Sequence, residues 1–396
     1  MFARRTNWQL APNRFSLTME EQRQRGAKLL DLSAANPTRC GFSYDTRAIM
    51  RALVRRASLD YDPDPRGLIS AREAVQDYYA QRGEHVGTSQ IVLTTSTSEA
   101  YSFVFRLLCD PGDEMLIPQP SYPLFEYLAG ICDVTLRPYE LVYDHGWQID
   151  FHSLWQAATE RTRAVMVVHP NNPTGSYVKP HEGAQLEAFC AEREAAIVAD
   201  EVFLDFAWDE GQRPSFVTRA LQHQAASSGD QPILTFTLSG LSKISGLPQM
   251  KLAWMVMSGP EQRVRAASAR MELIADTYLS MNAPIQHAAR ELLDQRHTFQ
   301  QQLMARVRKN LTVLDSQLAS SDCRRVDVEG GWYAVVRVPV TRSDEELAVE
   351  LLERDAVIVH PGHFFDFHQD GYIVVSLITP EAEFAEGLSR LLRRLG

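Results

Sequence analysis

Short apolar runs alternate with amphipathic stretches through the middle of the chain, the pattern of an open α/β sheet covered by helices. Residues 90–95 are expected as a strand, followed by a helix from about 98 to 108. Further strands are expected at 114–118, 164–168, 196–200, 233–236 and 252–257. From about Pro284 a long helical pattern leads into a different region. There, residues 330–336, a helical stretch near 344–354, and residues 372–376 suggest a small α+β unit. No internal repeat and no low-complexity linker interrupts the pattern.

Composition narrows the class. A chain of 396 residues exceeds a typical single domain, so two domains are expected. A hydrophobic fraction of 45% with 23% charged residues is that of an ordinary globular protein. The formal net charge of −10, without a basic run, gives no reason to expect nucleic acid or an anionic membrane as partner. Cys40, Cys109, Cys132, Cys190 and Cys323 are widely separated, without Cys-x-x-Cys or Cys/His spacing, so neither a disulfide framework nor a metal site is expected. The N-terminus lacks an apolar core of signal-peptide length, and no stretch approaches the roughly 18 apolar residues of a membrane span. A cytoplasmic protein is the expectation.

The candidate chemistry centres on Lys243, in Thr237-Leu238-Ser239-Gly240-Leu241-Ser242-Lys243-Ile244-Ser245-Gly246-Leu247-Pro248. An amine among small residues on a tight loop suits Schiff-base formation with an aldehyde. A lone lysine among serines is usually only surface. Two upstream segments change that reading: Pro170-Asn171-Asn172-Pro173-Thr174-Gly175 and Ala199-Asp200-Glu201-Val202-Phe203. Ligands of open α/β sheets bind beyond the carboxyl ends of the strands. Asn172, Asp200 and Lys243 each fall at or just after such an end. Ser96-Thr97-Ser98 lies between a strand and a helix, where amides and the helix dipole favour an anion.

In this order, the three segments resemble the signature of fold-type I pyridoxal 5′-phosphate (PLP) enzymes, the aspartate aminotransferase superfamily. The resemblance covers nearly the whole chain. It implies an α/β fold: a large PLP-binding domain with a mostly parallel central sheet sandwiched by helices (49–284) and a smaller α+β domain. The smaller domain would draw on residues 1–48 and, after an interdomain helix, on the rest of 285–396. The implied activity is that of an aminotransferase, moving an amino group between an amino acid and a 2-oxo acid through a Schiff base at Lys243. β-Lyases, racemases, decarboxylases and α-oxoamine synthases use the same scaffold, so those chemistries and non-catalytic PLP binding stay open. PLP-sensing regulators carry an extra N-terminal DNA-binding domain; the resemblance begins by about Leu30, which leaves no room for one.

The resemblance also assigns roles. Asp200 would hold a proton on the pyridinium nitrogen, since a carboxylate beside it stabilises the cation. Asn172 would donate to the phenolate oxygen, and Tyr122 would stack on the ring. Ser96, Thr97, Ser98, Ser242 and Lys251 would hold the phosphate, and Tyr61 would reach the phosphate of the neighbouring subunit in a homodimer with shared active sites. Four positions depart from the family pattern. Phe203 replaces a tyrosine that donates to the phenolate oxygen, and Ser96 replaces a common glycine. Lys251 replaces an arginine, losing its bidentate fork. Val374 stands where relatives bind the substrate carboxylate with an arginine. Arg39, in an N-terminal loop that relatives bring to the substrate, is the candidate replacement.

Overall fold

The computed structural model describes residues 1–123, 125–209, 211, 213–219, 233–279 and 281–396. Its centre is an eight-stranded sheet, built from β2 (Ile91–Thr94), β3 (Glu114–Gln119), β4 (Thr135–Tyr143), β5 (Trp147–Ile149), β6 (Thr162–Val168), β7 (Ala196–Asp200), β8 (Thr235–Gly240) and β9 (Ala253–Ser258). The order is β2-β9-β8-β7-β6-β3-β4-β5. Strands β3, β4, β6, β7 and β8 are joined by parallel pairings, whereas β9 pairs antiparallel with both β2 and β8. The α/β fold with a mostly parallel sheet is therefore as expected.

β7, β8 and β9 are buried along their whole length, because helices cover both faces. The period-2 alternation of strand side chains divides the core. Ala164, Met166 and Val168 of β6 pack with Phe103, Val104 and Met271, from the helices Thr97–Leu108 and Glu261–Tyr278. Val165 and Val167 face the opposite layer, with Leu186 and Phe189 from the helix Pro180–Arg193. At the β2 end, Leu93 and Trp254 pack with Val75 and Tyr79 of the helix Ile69–Gln81.

A second sheet has the order β10-β11-β14-β13, with every pairing antiparallel: β10 (Arg324–Arg325), β11 (Tyr333–Arg337), β13 (His360–Pro361) and β14 (Tyr372–Ser376). Near it, β1 (Leu30–Asp31) pairs in parallel with β12 (Val357–Ile358). The helix Arg14–Gln24 lies against Asp344–Asp355, and the latter begins with a reciprocal capping box between Ser343 and Glu346. The first residues go elsewhere: Arg5 pairs with Asp133, and the Trp8 ring meets Tyr127 edge-on on the helix Phe125–Ile131. The 23-residue helix Arg296–Leu318 supplies Phe299, Leu303 and Val307 to the same core as β11 and β14.

Two strands of the central sheet escaped the sequence pattern, as did the two-residue strands β1, β10, β12 and β13. β4 carries Pro138 and exposed polar positions, and β5 has three residues after a turn at His145 and Gly146, both with positive φ. The strand expected at 233–236 begins two residues later and runs to Gly240, which brings it up to the lysine.

Candidate active site

Register aligns the ends of three strands. Val168 of β6 pairs with Asp200 of β7, and Asp200 pairs with Leu238 of β8, so the loops after all three leave the same edge. The loop after β6 is fixed by its own polar side chains. Asn171 donates to the Pro120 carbonyl (3.0 Å) and to Thr174 Oγ1 (2.9 Å), and accepts from Ser121 Oγ (3.2 Å). Gly175 turns with φ +67°, where a Cβ would overlap the Gly330 carbonyl, so only glycine fits. The next-door Asn172 is buried with its Oδ1 unpartnered. A buried amide oxygen without a donor is costly, and here it lies at the strand-end edge where a ligand could satisfy it.

Asp200 ends β7 at 8% exposure. Its Oδ2 accepts a hydrogen bond from the Tyr101 hydroxyl (2.8 Å) and its Oδ1 accepts one from the Val202 amide (3.1 Å). Burial raises the carboxyl pKa, while those two bonds and the Lys243 ammonium oppose the rise.

Lys243 lies in the single turn Leu241–Ile244, directly after β8. The Leu241 amide donates to the Leu252 carbonyl (2.9 Å), and Gln300 Nε2 donates to both the Ile244 carbonyl and Asp205 Oδ2 (3.0 Å each). The Lys243 Nζ lies 4.8 Å from the Trp332 ring centroid and 5.4 Å from that of Phe203. Burial pushes the ammonium down to about 8, with the Asp200 carboxylate pulling the other way. An amine with that value has a neutral, nucleophilic and basic fraction near physiological pH that an ordinary lysine lacks.

The other residues singled out in the sequence are dispersed around this pair. Tyr122 is 43% exposed, edge-on to Phe125, and the Asp200 charge helps raise its phenol pKa. Ser96 is the N-cap of Thr97–Leu108, and its hydroxyl accepts from the Glu99 amide (3.2 Å), so that hydroxyl is already engaged. Thr97 and Ser98 form the first turn, where N–H groups have no intrahelical acceptor. Ser242 precedes the lysine and is half-buried. Lys251 is exposed in the left-handed conformation (φ 51°), just before β9.

Tyr61 is 81% exposed and stands outside the cluster. Arg39 is exposed on the short turn Pro37–Arg39. Its loop is tied to the strand bearing Val374: the Ser376 amide donates to Leu32 O (2.6 Å), and Ser376 Oγ donates to Ala34 O (2.5 Å). Val374 itself is fully buried between Val335 and His360 and presents no polar group.

Sequence reasoning missed Tyr101 and Trp332 as neighbours of the reacting groups. Tyr101 sits one turn into the helix Thr97–Leu108. A hydroxyl-bearing aromatic on the buried face there was the available signal. Trp332 was visible only as part of a strand, yet its indole faces the lysine and its own Nε1 is buried without a partner.

A family model described as aminotransferase class I and II matches residues 28–391. The chain belongs to the aminotransferase class I and II family. It is a transferase of the aminotransferase kind, the enzyme class expected from its motifs, and that family uses PLP. Glutamate-pyruvate aminotransferase AlaA of Haemophilus influenzae is 25% identical over 96% of this chain and 93% of its own length. Alanine aminotransferase of Mycobacterium tuberculosis is 26% identical over 92% and 85%. Among solved structures, alanine aminotransferase from Pyrococcus furiosus superposes with a TM-score of 0.88 at 22% identity, covering 100% of this chain and 99% of that one. A mutant aspartate aminotransferase of Thermus thermophilus gives 0.84 at 23% identity, covering 99% of each. Both share the fold. Among the described residues no helix is long and apolar enough to cross a membrane.

Proposed function

We propose that this chain binds PLP at Lys243 and transfers an amino group from an amino acid to a 2-oxo acid. The observation that carries the reading is the Lys243–Asp200 pair: an amine whose pKa burial lowers, near a buried carboxylate at a common strand end. Bound there, PLP would supply an aldehyde for Schiff-base exchange and a ring that accepts the electron pair left at the substrate Cα. The chain's own residues would do the rest.

Asp200 would keep a proton on the ring nitrogen, and the Nδ2 amide of Asn172 would donate to the phenolate oxygen. Tyr122 would cover the ring face. The amides of Thr97 and Ser98, with Ser96, Ser242 and Lys251, would hold the phosphate. Released from the aldehyde, Lys243 Nζ would take the Cα proton and return it one carbon along. The walls given by Phe203 and Trp332 would keep water from the amine. Phe203 has no hydroxyl to offer the phenolate oxygen, so Asn172 carries that contact alone among the residues assigned to it.

The reading extends to a homodimer in which Tyr61 of each subunit completes the other's phosphate site. It also includes a division into 1–48 and 285–396 around a large domain of 49–284, and a cytoplasmic location. The names of the curated relatives make glutamate and pyruvate the first donor and acceptor to assay. A half-reaction tests the proposal. Stoichiometric glutamate added to the PLP-loaded protein should yield 2-oxoglutarate and pyridoxamine phosphate in equal amounts. Ammonia or a decarboxylated amine as product would replace transamination with another PLP reaction.

The buried Val374 favours a second reading of specificity. With no cation on β14 at that position, the substrate carboxylate would be held by Arg39 or by neutral donors, or be absent from the substrate. Parallel assays of amino acids and their decarboxylated amines separate a held carboxylate from an absent one.

A further inference from the structure

Among the described residues Asp200 is the one carboxylate acting on Lys243, yet its surroundings are hydrophobic. Val168, Val198 and Leu238 line the strand ends beside it, and Phe125 packs against the neighbouring helix. A carboxylate carried into such a place without donors takes up a proton instead of staying ionised. Two donors reach it. The Val202 amide comes from the same turn and is present whatever the side chains are. The other is the phenol of Tyr101, brought 99 residues along the chain by the packing of the helix Thr97–Leu108 against the sheet.

That phenol has no other partner and no route to water: Tyr101 is 2% exposed, held edge-on by Phe125 and tilted against Phe105. Its rotamer is thus set by aromatic packing, and its O–H has one acceptor to choose, Asp200 Oδ2. The other titratable groups facing the carboxylate are Lys243, from the turn after β8, and Tyr122, from the loop after β3.

We propose that Tyr101 is a positioning residue that fixes the Asp200 carboxylate and keeps it ionised. Each Asp200 oxygen uses one lone pair on Tyr101 or Val202 and retains another for a group on the Lys243 side. A phenol–carboxylate hydrogen bond is charge-assisted and roughly twice as strong as a neutral one. The same contact works against ionisation of the phenol, because a negative partner and burial both push the Tyr101 pKa well above its usual value. Tyr101 therefore stays a donor through the whole range in which Asp200 is ionised. In the PLP reading the consequence is a carboxylate ready to hold the ring proton. The contact itself exists without any cofactor, which makes it testable apart from that reading.

The measurement is the protonation midpoint of Asp200 in the cofactor-free protein. It is followed by the infrared carboxyl band as pH falls, with Asp200→Asn identifying the band. Tyr101→Phe keeps the ring contacts with Phe105 and Phe125 and removes only the hydroxyl. The midpoint should rise by about one pH unit or more, a tenfold change in the acid constant. Tyr101→Leu, which also loses the ring, should give at least the same rise. An unchanged or lowered midpoint in both variants overturns the proposal, even if either variant melts earlier, since a purely structural role alters stability and leaves the titration alone. If the midpoint rises but Lys243 takes up no PLP, the positioning role stands and the functional reading fails.

Discussion

An ammonium group between the rings of Phe203 and Trp332 loses hydration that one carboxylate, Asp200, replaces only in part. The lysine therefore sits at a cost to the fold. Its folded pKa of about 8 lies below the ordinary 10.5, so between those values the folded chain binds fewer protons than the unfolded one. Stability from this group rises with pH across that window, and the cost is complete below about 8. Lys243→Met should stabilise the cofactor-free protein at pH 7 by about 1–2 kcal/mol in urea titrations, with a smaller gain at pH 10. A gain independent of pH would show that side-chain packing, and not ionisation, sets the difference. Arg39 is exposed and contributes little to the fold. Arg39→Ala should leave stability and PLP content unchanged while raising KM for a carboxylate substrate at least tenfold, or ~1.4 kcal/mol. Steady-state kinetics that match the parent would remove Arg39 from substrate binding.

Element by element, the site depends on where strands stop. β6 and β7 end in register, β8 runs two residues further, and each is followed at once by a turn that leaves little freedom. Gly246, three residues after the lysine, has φ +63°, and a Cβ there would strike the Phe299 ring of the helix Arg296–Leu318. Gly246→Ala should cost about 2–4 kcal/mol by combining overpacking with left-handed strain, and thermal unfolding will read the loss. This level was largely legible in the sequence. The strand ends at Val168 and Asp200 follow from apolar runs closed by the loop with Asn172-Pro173 and by Asp-Glu, whereas the end at Gly240 lies four residues beyond the strand expected at 233–236. β4 and β5 were not legible, because an edge hairpin with Pro138 and alternating exposed residues carries little hydrophobic signal. Tyr101 was also hard to read, since its partner lies 99 residues away and only its place on the buried helix face marks it locally. Ser96 shows the ambiguity of the loop: the residue read as a phosphate ligand is also the helix cap.

Among the described residues, exposed apolar side chains include a group on two segments, 54–61 and 273–279. Val54, Leu59 and Tyr61 are exposed at 79, 87 and 81%, and Leu273 and Leu279 at 72 and 66%. Tyr61 and Leu279 line one cavity with Phe103 and Met281, so these segments adjoin. Large apolar groups left in water at this density indicate a covered surface. A second copy of the chain, as the shared-site reading requires, would cover it. Sedimentation should show a dimer, and Leu59→Asp with Leu279→Asp should shift it to monomer with loss of PLP retention. A fully active monomer would contradict the shared site.

The central claim is that Lys243 is the residue that holds the cofactor. Borohydride reduction of the PLP-loaded protein, followed by peptide mass spectrometry, tests it most directly. The account predicts one reduced pyridoxyl group per chain, on the peptide containing Lys243, and none in Lys243→Ala. Labelling on another lysine, or equal labelling of the Lys243→Ala protein, would contradict it.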